Sequence, residues 1–318
     1  MNERQLAIKV DVDTERGTRI GVPNLMALLD RLGVQATFLF SLGPDNTGRA
    51  IKRIFRPGFF GKVVRTSVVS TYGLRTLMNG VLLPGPHIGR RHGALMRSVR
   101  DAGHEVGIHC YDHIRWQDGL ARMTPEQVAA ELDKARREFE RIFGEPARTA
   151  GAAGWQANAA SLNAYDAADF TYASDARGTE PFFPSIDGHR YRTLQIPTTL
   201  PTLDELLGRP EYPESHLVDH YLGLLRADRL NVLTAHAEIE GMAKLELFEE
   251  LLRRTHGANV QFVRLDRYAG GRLARPADIP VCELAQGTVD GRSGTLAVQT
   301  PPPIDTGDHR ASSTPPVA

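Results

Sequence analysis

The chain has 318 residues, enough for one large α/β domain or two smaller ones, so a core of ordinary size presents no difficulty. Its 38 Lys and Arg balance 38 Asp and Glu, so global charge points to no partner, and Cys110 and Cys282 offer no disulfide framework and fit a reducing compartment. No apolar run of about 18 residues exists to span a membrane, and the charged opening lacks the apolar stretch of a signal peptide, so a cytoplasmic location is the expectation.

Residues 5–13 read as a strand, and because side chains repeat every two residues Asp11 and Asp13 leave the same face. Alone, such a pair reads equally well as solvated strand-end caps. An apolar helical pattern follows over residues 20–32, Gly33 stops it, and residues 35–40 read as a second strand, which opens a repeating β/α unit.

The rhythm breaks over residues 41–101. From Asn46 to Arg100 there are eleven basic residues, Arg49, Lys52, Arg53, Arg56, Lys62, Arg65, Arg75, Arg90, Arg91, Arg97 and Arg100, and no Asp or Glu. Removing these eleven from the 38 basic residues leaves 27 against 38 acidic ones, so the neutral total hides a basic insertion in an acidic body. Phe55, Phe59, Phe60, Tyr72, Leu74 and Leu82 are interleaved with the charges, the mixture expected of a segment lying at an anionic membrane surface. A solvated basic subdomain is the alternative. Nucleic acid is not expected, since no zinc-finger, RNP or helix-turn-helix signature accompanies the charge.

A helix end over residues 95–102 leads through Gly103 into a short strand, residues 104–108, which delivers His109 and His113 at its carboxyl end. Their four-residue spacing also lets both imidazoles close on one ion from a single helical turn, though a lone pair of this kind is often structural. Residues 123–143 read as an amphipathic helix that begins with a capping-box pattern, Thr124-Pro125-Glu126-Gln127. Arg148 then opens a small-residue turn, Gly151-Ala152-Ala153-Gly154-Trp155. Residues 158–168 read as a helix and 170–173 as a strand ending at Ser174-Asp175. A loop containing Phe182, Phe183 and His189 leads to a strand over residues 191–197. A helix over residues 214–228 precedes an apolar strand, residues 230–235, which presents His236 and Glu238. Helix 241–255 and strand 260–265 complete the alternation. Residues 281–286 and 295–299 flank Asp290-Gly291 as a hairpin, and the Pro-rich residues beyond 300 read as a disordered tail. The expected organisation is a domain over 1–270 carrying the 41–101 insertion, a hairpin extension over 271–300 and a tail over 301–318.

Asp11-Val12-Asp13, His109-x-x-x-His113, Arg148 with its glycine-rich turn, Asp175 and Leu233-Thr234-Ala235-His236 come in the order and approximate spacing of five motifs. In this the chain resembles the polysaccharide deacetylase family with the NodB homology domain, over roughly residues 9–265. Within that family the insertion and the stretches around the motifs resemble the enzymes that deformylate 4-deoxy-4-formamido-L-arabinose linked to undecaprenyl phosphate, which act in lipid A modification and polymyxin resistance. The resemblance implies a distorted (β/α) barrel of about seven strands and one divalent metal ion, with Zn, Co, Mn, Ni and Fe not distinguished. It implies Asp13, His109 and His113 as ligands, Asp11 as general base and His236 as general acid. It further implies that Arg148 orients Asp11 by an ion pair and that Asp175 tunes His236.

The chain departs from the family pattern in three places. Val12 separates two aspartates that are usually adjacent, so the division into base and ligand stays open. The third motif lacks its usual proline and tyrosine, and no tryptophan follows Asp175. Glu15, Tyr111, Trp155 and Glu238 are candidate substrate contacts, and Arg49 and Arg53 candidates for the lipid phosphate. The implied partners are the lipid-linked formamido sugar and the anionic cytoplasmic face of the inner membrane. The alternatives are N-deacetylation of another glycan, or a non-catalytic module that binds lipid phosphate.

Overall fold

A computed structural model describes residues 4–50, 76 and 78–300. The elements in chain order begin with β1 (Arg4–Val12), α1 (Val22–Leu32), β2 (Thr37–Ser41), α2 (Ile88–Asp101), β3 (Glu105–Cys110), α3 (His113–Gly119), α4 (Pro125–Phe143) and β4 (Thr149–Ala150). They continue with α5 (Ala159–Ala167), β5 (Tyr172–Ala173), β6 (Phe183–Ile186), β7 (His189–Arg190), β8 (Leu194–Gln195), α6 (Leu203–Leu206) and α7 (Leu217–Leu224). The last are β9 (Leu230–His236), α8 (Leu245–Gly257), β10 (Val260–Phe262), α9 (Leu265–Leu273), β11 (Val281–Gly287) and β12 (Leu296–Thr300).

The main sheet is parallel throughout, in the order β10-β1-β2-β3-β4-β5-β8, with β9 along the other edge of β1. Between β8 and β9 the ring is bridged only by a loop, as the N–H groups of Thr199 and Leu200 donate to Val232 O. The result is the distorted (β/α) barrel that the family resemblance implies. β1 holds it together because its two faces are both buried. Leu6, Ile8, Val10 and Val12 pack outward into the helix layer, while Ala7, Lys9 and Asp11 point into the barrel. An all-apolar strand would suit this position, so the buried Lys9 and Asp11 need each other.

The helices form where their local signals are strongest. α4 begins with the expected capping box, Thr124 accepting from Gln127 N while the Gln127 side chain accepts from Thr124 N, and its apolar stripe of Leu132, Ala135, Phe139 and Ile142 enters the core while Val128 packs in a smaller cluster with Cys110 and Trp116. α2 places Ile88, Met96 and Val99 in the same core, so Arg90, Arg91, Arg97 and Arg100 ride on a barrel helix and not on a separate subdomain. Two of them have a structural task, since Arg97 and Arg100 donate to the Ile142 and Phe143 carbonyls at the end of α4. Most of the remaining insertion charges, Arg53 among them, lie outside the described residues, as does the tail over 301–318.

The hairpin around Asp290-Gly291 forms as expected, with β11 and β12 antiparallel. It does not stand alone. β6 and β7, a hairpin in a stretch expected to be a loop, join it in a second sheet of order β12-β11-β6-β7. Among the described residues no helix is long and apolar enough to cross a membrane.

Candidate metal centre and its surroundings

The carboxyl ends of β1, β3, β4, β5 and β9 converge, and the motif residues other than Arg148, which precedes β4, lie in or just after these ends. His109 is still in β3, whereas His113 is the first residue of α3, so the pair does not come from one helical turn. A short turn between strand and helix brings the rings to a centroid separation of 5.2 Å. Asp112 caps α3 by accepting from Arg115 N, which fixes the backbone just before His113. The root of the insertion grips the same residue, because Asn46 Nδ2 donates to Asp112 Oδ2 at 2.6 Å. Asp45 beside it is buried and accepts from Glu15 N and Asn79 Nδ2.

Asp13 Oδ1 is buried without a well-formed hydrogen bond and lies 3.2 Å from His109 Nε2 and 3.5 Å from His113 Nε2. One donor atom from each of the three residues fits within a span of 4.8 Å. Metal–ligand bonds of about 2.1 Å at tetrahedral or octahedral angles separate neighbouring donors by roughly 3 to 3.4 Å, so the set fits a divalent ion. Burial raises the Asp13 carboxyl, but His113 and His109 outweigh it and hold it well below the ordinary value. Burial lowers the His109 imidazole, yet Asp11 and Asp13 together leave it above the ordinary value. Cys110, next to His109, stays outside this group. Burial pushes its thiol well up, and its Sγ lies 3.2 Å from Ser41 Oγ.

Asp11 is 2% exposed, and its Oδ1 lies 3.8 Å from His109 Nδ1 with no hydrogen bond. The cation beside it is not Arg148. Arg148 is exposed at the entry to β4, while the fully buried Lys9 lies 3.3 Å from Asp11 Oδ2 and donates to Ser174 O. The signal was present in the sequence: Lys9, Asp11 and Asp13 share one strand face by the same period of two.

Asp175 does not meet His236. It is fully buried, Oδ1 accepting from Ala152 N at 2.6 Å and Oδ2 from Gln195 Nε2 at 3.2 Å, and burial raises it to about 6. It holds the Gly151–Trp155 turn through the Ala152 N–H, while Gly151 N donates to Ile108 O and Trp155 N to Ala152 O. The carboxylate nearest to His236 Nδ1 is Asp204, at 4.0 Å, in a segment that the sequence reading left unassigned. Beneath the ring, Glu240 Oε2 accepts from His236 N at 2.8 Å.

Of the candidate substrate contacts, Glu238 is buried at 2% and serves the metal centre from behind. Its Oε1 accepts from Asp13 N, Thr14 N and Thr14 Oγ1, and burial and Asp13 push its pKa well up. Gly17 makes this possible, since a Cβ there would overlap Glu238 Oε1. Trp155 is buried with φ of 53°, a left-handed conformation costly for a bulky residue, and its ring stands edge-on to His236 at 6.3 Å. Glu15 pairs with His92 and Arg19, Tyr111 OH meets His87 Nε2 at 3.4 Å, and Arg49 is half exposed with Nη1 4.0 Å from Asp112 Oδ2.

Comparison with known proteins identifies the family. A family model described as polysaccharide deacetylase matches residues 2–173. A probable 4-deoxy-4-formamido-L-arabinose-phosphoundecaprenol deformylase from Shewanella sediminis is 38% identical over 298 residues, 94% of this chain and 95% of that protein. A protein of the same name from Wigglesworthia glossinidia brevipalpis is 32% identical over 89% of this chain and 98% of its own length. Among solved structures, a Mycobacterium smegmatis chain described as a polysaccharide deacetylase superposes with a TM-score of 0.62 at 15% identity, over 91% of this chain and 96% of that one. With more than half of its residues matched by the family model and nearly all of them by the curated relatives, this chain belongs to the polysaccharide deacetylase family, hydrolases of amide carbon–nitrogen bonds.

Proposed function

We propose that this chain removes the formyl group from 4-deoxy-4-formamido-L-arabinose linked to undecaprenyl phosphate, giving the amino sugar lipid and formate, at the cytoplasmic face of the inner membrane. The product would serve lipid A modification and resistance to cationic peptides. The observation that carries the reading is the cluster of Asp13, His109 and His113, with Asp11 Oδ1 3.8 Å from His109 Nδ1 and His236 paired with Asp11 across β1 and β9, in a chain 38% identical to a relative bearing that name.

An amide resists hydrolysis because its carbonyl is a weak electrophile and its amine a poor leaving group. When bound at Asp13, His109 and His113, a divalent ion supplies Lewis-acid polarisation and a water acidified toward neutral pH. Asp11, kept in place by Lys9, accepts the proton that the attacking water loses. His236 delivers a proton to the departing sugar nitrogen, a step typically worth about 10² to 10⁴ in rate. Glu238 holds the Asp13-Thr14 backbone so that the carboxylate faces the two imidazoles.

The lipid end of the substrate is matched by the insertion. Among the described residues the exposed large hydrophobic side chains are Val81, Leu82 and Leu83, exposed by 54%, 75% and 41%. They follow Asn79, which donates to Asp45 beside the Asn46 that grips Asp112, so a membrane contact there brings the lipid headgroup to the metal centre. Arg49 and Arg53 are the proposed phosphate contacts. The test is formate release from the lipid-linked formamido sugar, with and without a chelator. Chelator-sensitive release is expected. An acetamido sugar hydrolysed faster than the formamido one would point instead to an N-deacetylase, and no release from either would overturn the enzyme reading.

A further inference from the structure

We propose that the C-terminal hairpin is a working wall of the site, with Arg292 at its tip holding Asp204 so that Asp204 orients the His236 ring. The hairpin lies outside the five motifs, yet its tip reaches the groups that flank His236. Arg292 Nη1 is 3.8 Å from Asp204 Oδ2 and 3.4 Å from Glu205 Oε1, and its guanidinium lies over the Trp155 ring at 4.5 Å. Asp204 Oδ1 in turn is 4.0 Å from His236 Nδ1 and accepts from Thr202 Oγ1 at 2.5 Å. His236 Nδ1 is buried and has no hydrogen-bond partner, although the side chain as a whole is 14% exposed, so the exposure belongs to the rest of the ring.

A buried ring nitrogen without a partner is unfavourable, and the Asp204 carboxylate 4.0 Å away is placed to receive its proton. Catalytic hydrogen bonds are often long in a ligand-free site and tighten on binding. Among the charged groups around His236, Asp204 lies beside Nδ1, Glu240 beneath the backbone N–H and Arg292 beyond Asp204, while Asp11 is its partner across β1 and β9. Asp204 therefore favours a proton on Nδ1 in the neutral ring and turns Nε2 toward the site, and the doubly protonated ring, with Nδ1–H facing Asp204, is the form that delivers a proton from Nε2.

The hairpin is built to dock here. Gly291 has φ of 80°, and a Cβ on it would overlap Glu205 O, so only glycine lets the tip sit against α6. Arg209 anchors Asp290 at 2.8 Å, and Arg177 Nη1 holds Glu205 Oε1 at 2.6 Å from the opposite side. Arg292 thus enters a frame already fixed by its neighbours. Its action on the reaction passes through Asp204 and Trp155, so both Arg292 and Asp204 are positioning residues.

The proposal rests on the hydrolase reading only in giving His236 a proton to deliver. The experiment uses the full chain labelled with ¹⁵N-histidine, and reads the His236 tautomer at a pH of about 8 in wild type, Asp204→Asn, Arg292→Ala and Arg292→Lys. Wild type and Arg292→Lys should hold the proton on Nδ1, whereas Asp204→Asn and Arg292→Ala should lose that preference. In parallel, formate release from a polyprenyl-phosphate-linked formamido-arabinose should fall about 10²-fold in kcat for Asp204→Asn, with KM little changed and partial rescue in Arg292→Lys relative to Arg292→Ala. An unaltered tautomer in both Asp204→Asn and Arg292→Ala would overturn the proposal, as would loss of activity that tracks a lowered melting temperature alone. The tautomer readout decides the matter even if wild type releases no formate, a result that would strike the hydrolase reading instead.

Discussion

Replacing Lys9 with methionine keeps the length of the side chain and removes its charge, which leaves Asp11 at 2% exposure without its cation. At 3.3 Å and an effective dielectric near 20, the Coulomb attraction of this pair is about 5 kcal/mol. Much of that offsets the desolvation of two buried charges, so the loss on breaking the pair reflects a stranded carboxylate more than a lost bond. Lys9→Met should accordingly destabilise the chain by roughly 3 to 5 kcal/mol. Lys9→Met combined with Asp11→Asn should recover most of it, because neither charge is then buried alone. Arg148→Ala, at an exposed site, should stay within about 0.5 kcal/mol of wild type. Urea unfolding of the metal-free proteins, read by far-UV circular dichroism, measures all four. A double variant as unstable as Lys9→Met alone, or an Arg148→Ala variant as damaging, would refute Lys9 as the partner of Asp11.

His109→Ala should lower affinity for Co²⁺ or Mn²⁺ on the order of 10²-fold or more by isothermal titration, whereas His236→Ala should bind the ion normally and release almost no formate. Glu240 is raised from an ordinary 4.5 to about 7 by burial. The folded state thus keeps its proton where the unfolded chain has lost it. Stability should fall as pH rises from about 4.5 through about 7, by up to about 3 kcal/mol, and Glu240→Gln should flatten that dependence. An equal slope in both proteins would exclude Glu240 as its source. Leu82 is 75% exposed, and its transfer into a membrane interface is worth roughly 2 kcal/mol, so Leu82→Asp should weaken partitioning onto anionic liposomes about 30-fold. Unchanged partitioning would argue for a solvated insertion.

The sequence by itself determined the elements whose signals are local. Period-two alternation in β1, the capping box of α4 and the apolar run of β9 all predict what forms, because each depends on neighbours a few residues away. The same locality brings Asp13, His109, His113 and His236 to strand ends, and in a parallel barrel strand ends converge. The folded chain decided which charge meets which. Arg148 and Lys9 are both basic residues near a motif, but only the strand face that points into the barrel brings Lys9 to Asp11. Asp175 and Asp204 are both carboxylates before β9, and the turn after β4 claims the first while α6 leaves the second beside His236. The second sheet joins segments about a hundred residues apart, which no local pattern encodes. Partner choice inside a low-dielectric core depends on distances of a few ångströms between such remote segments, and those distances exist only once the barrel has formed.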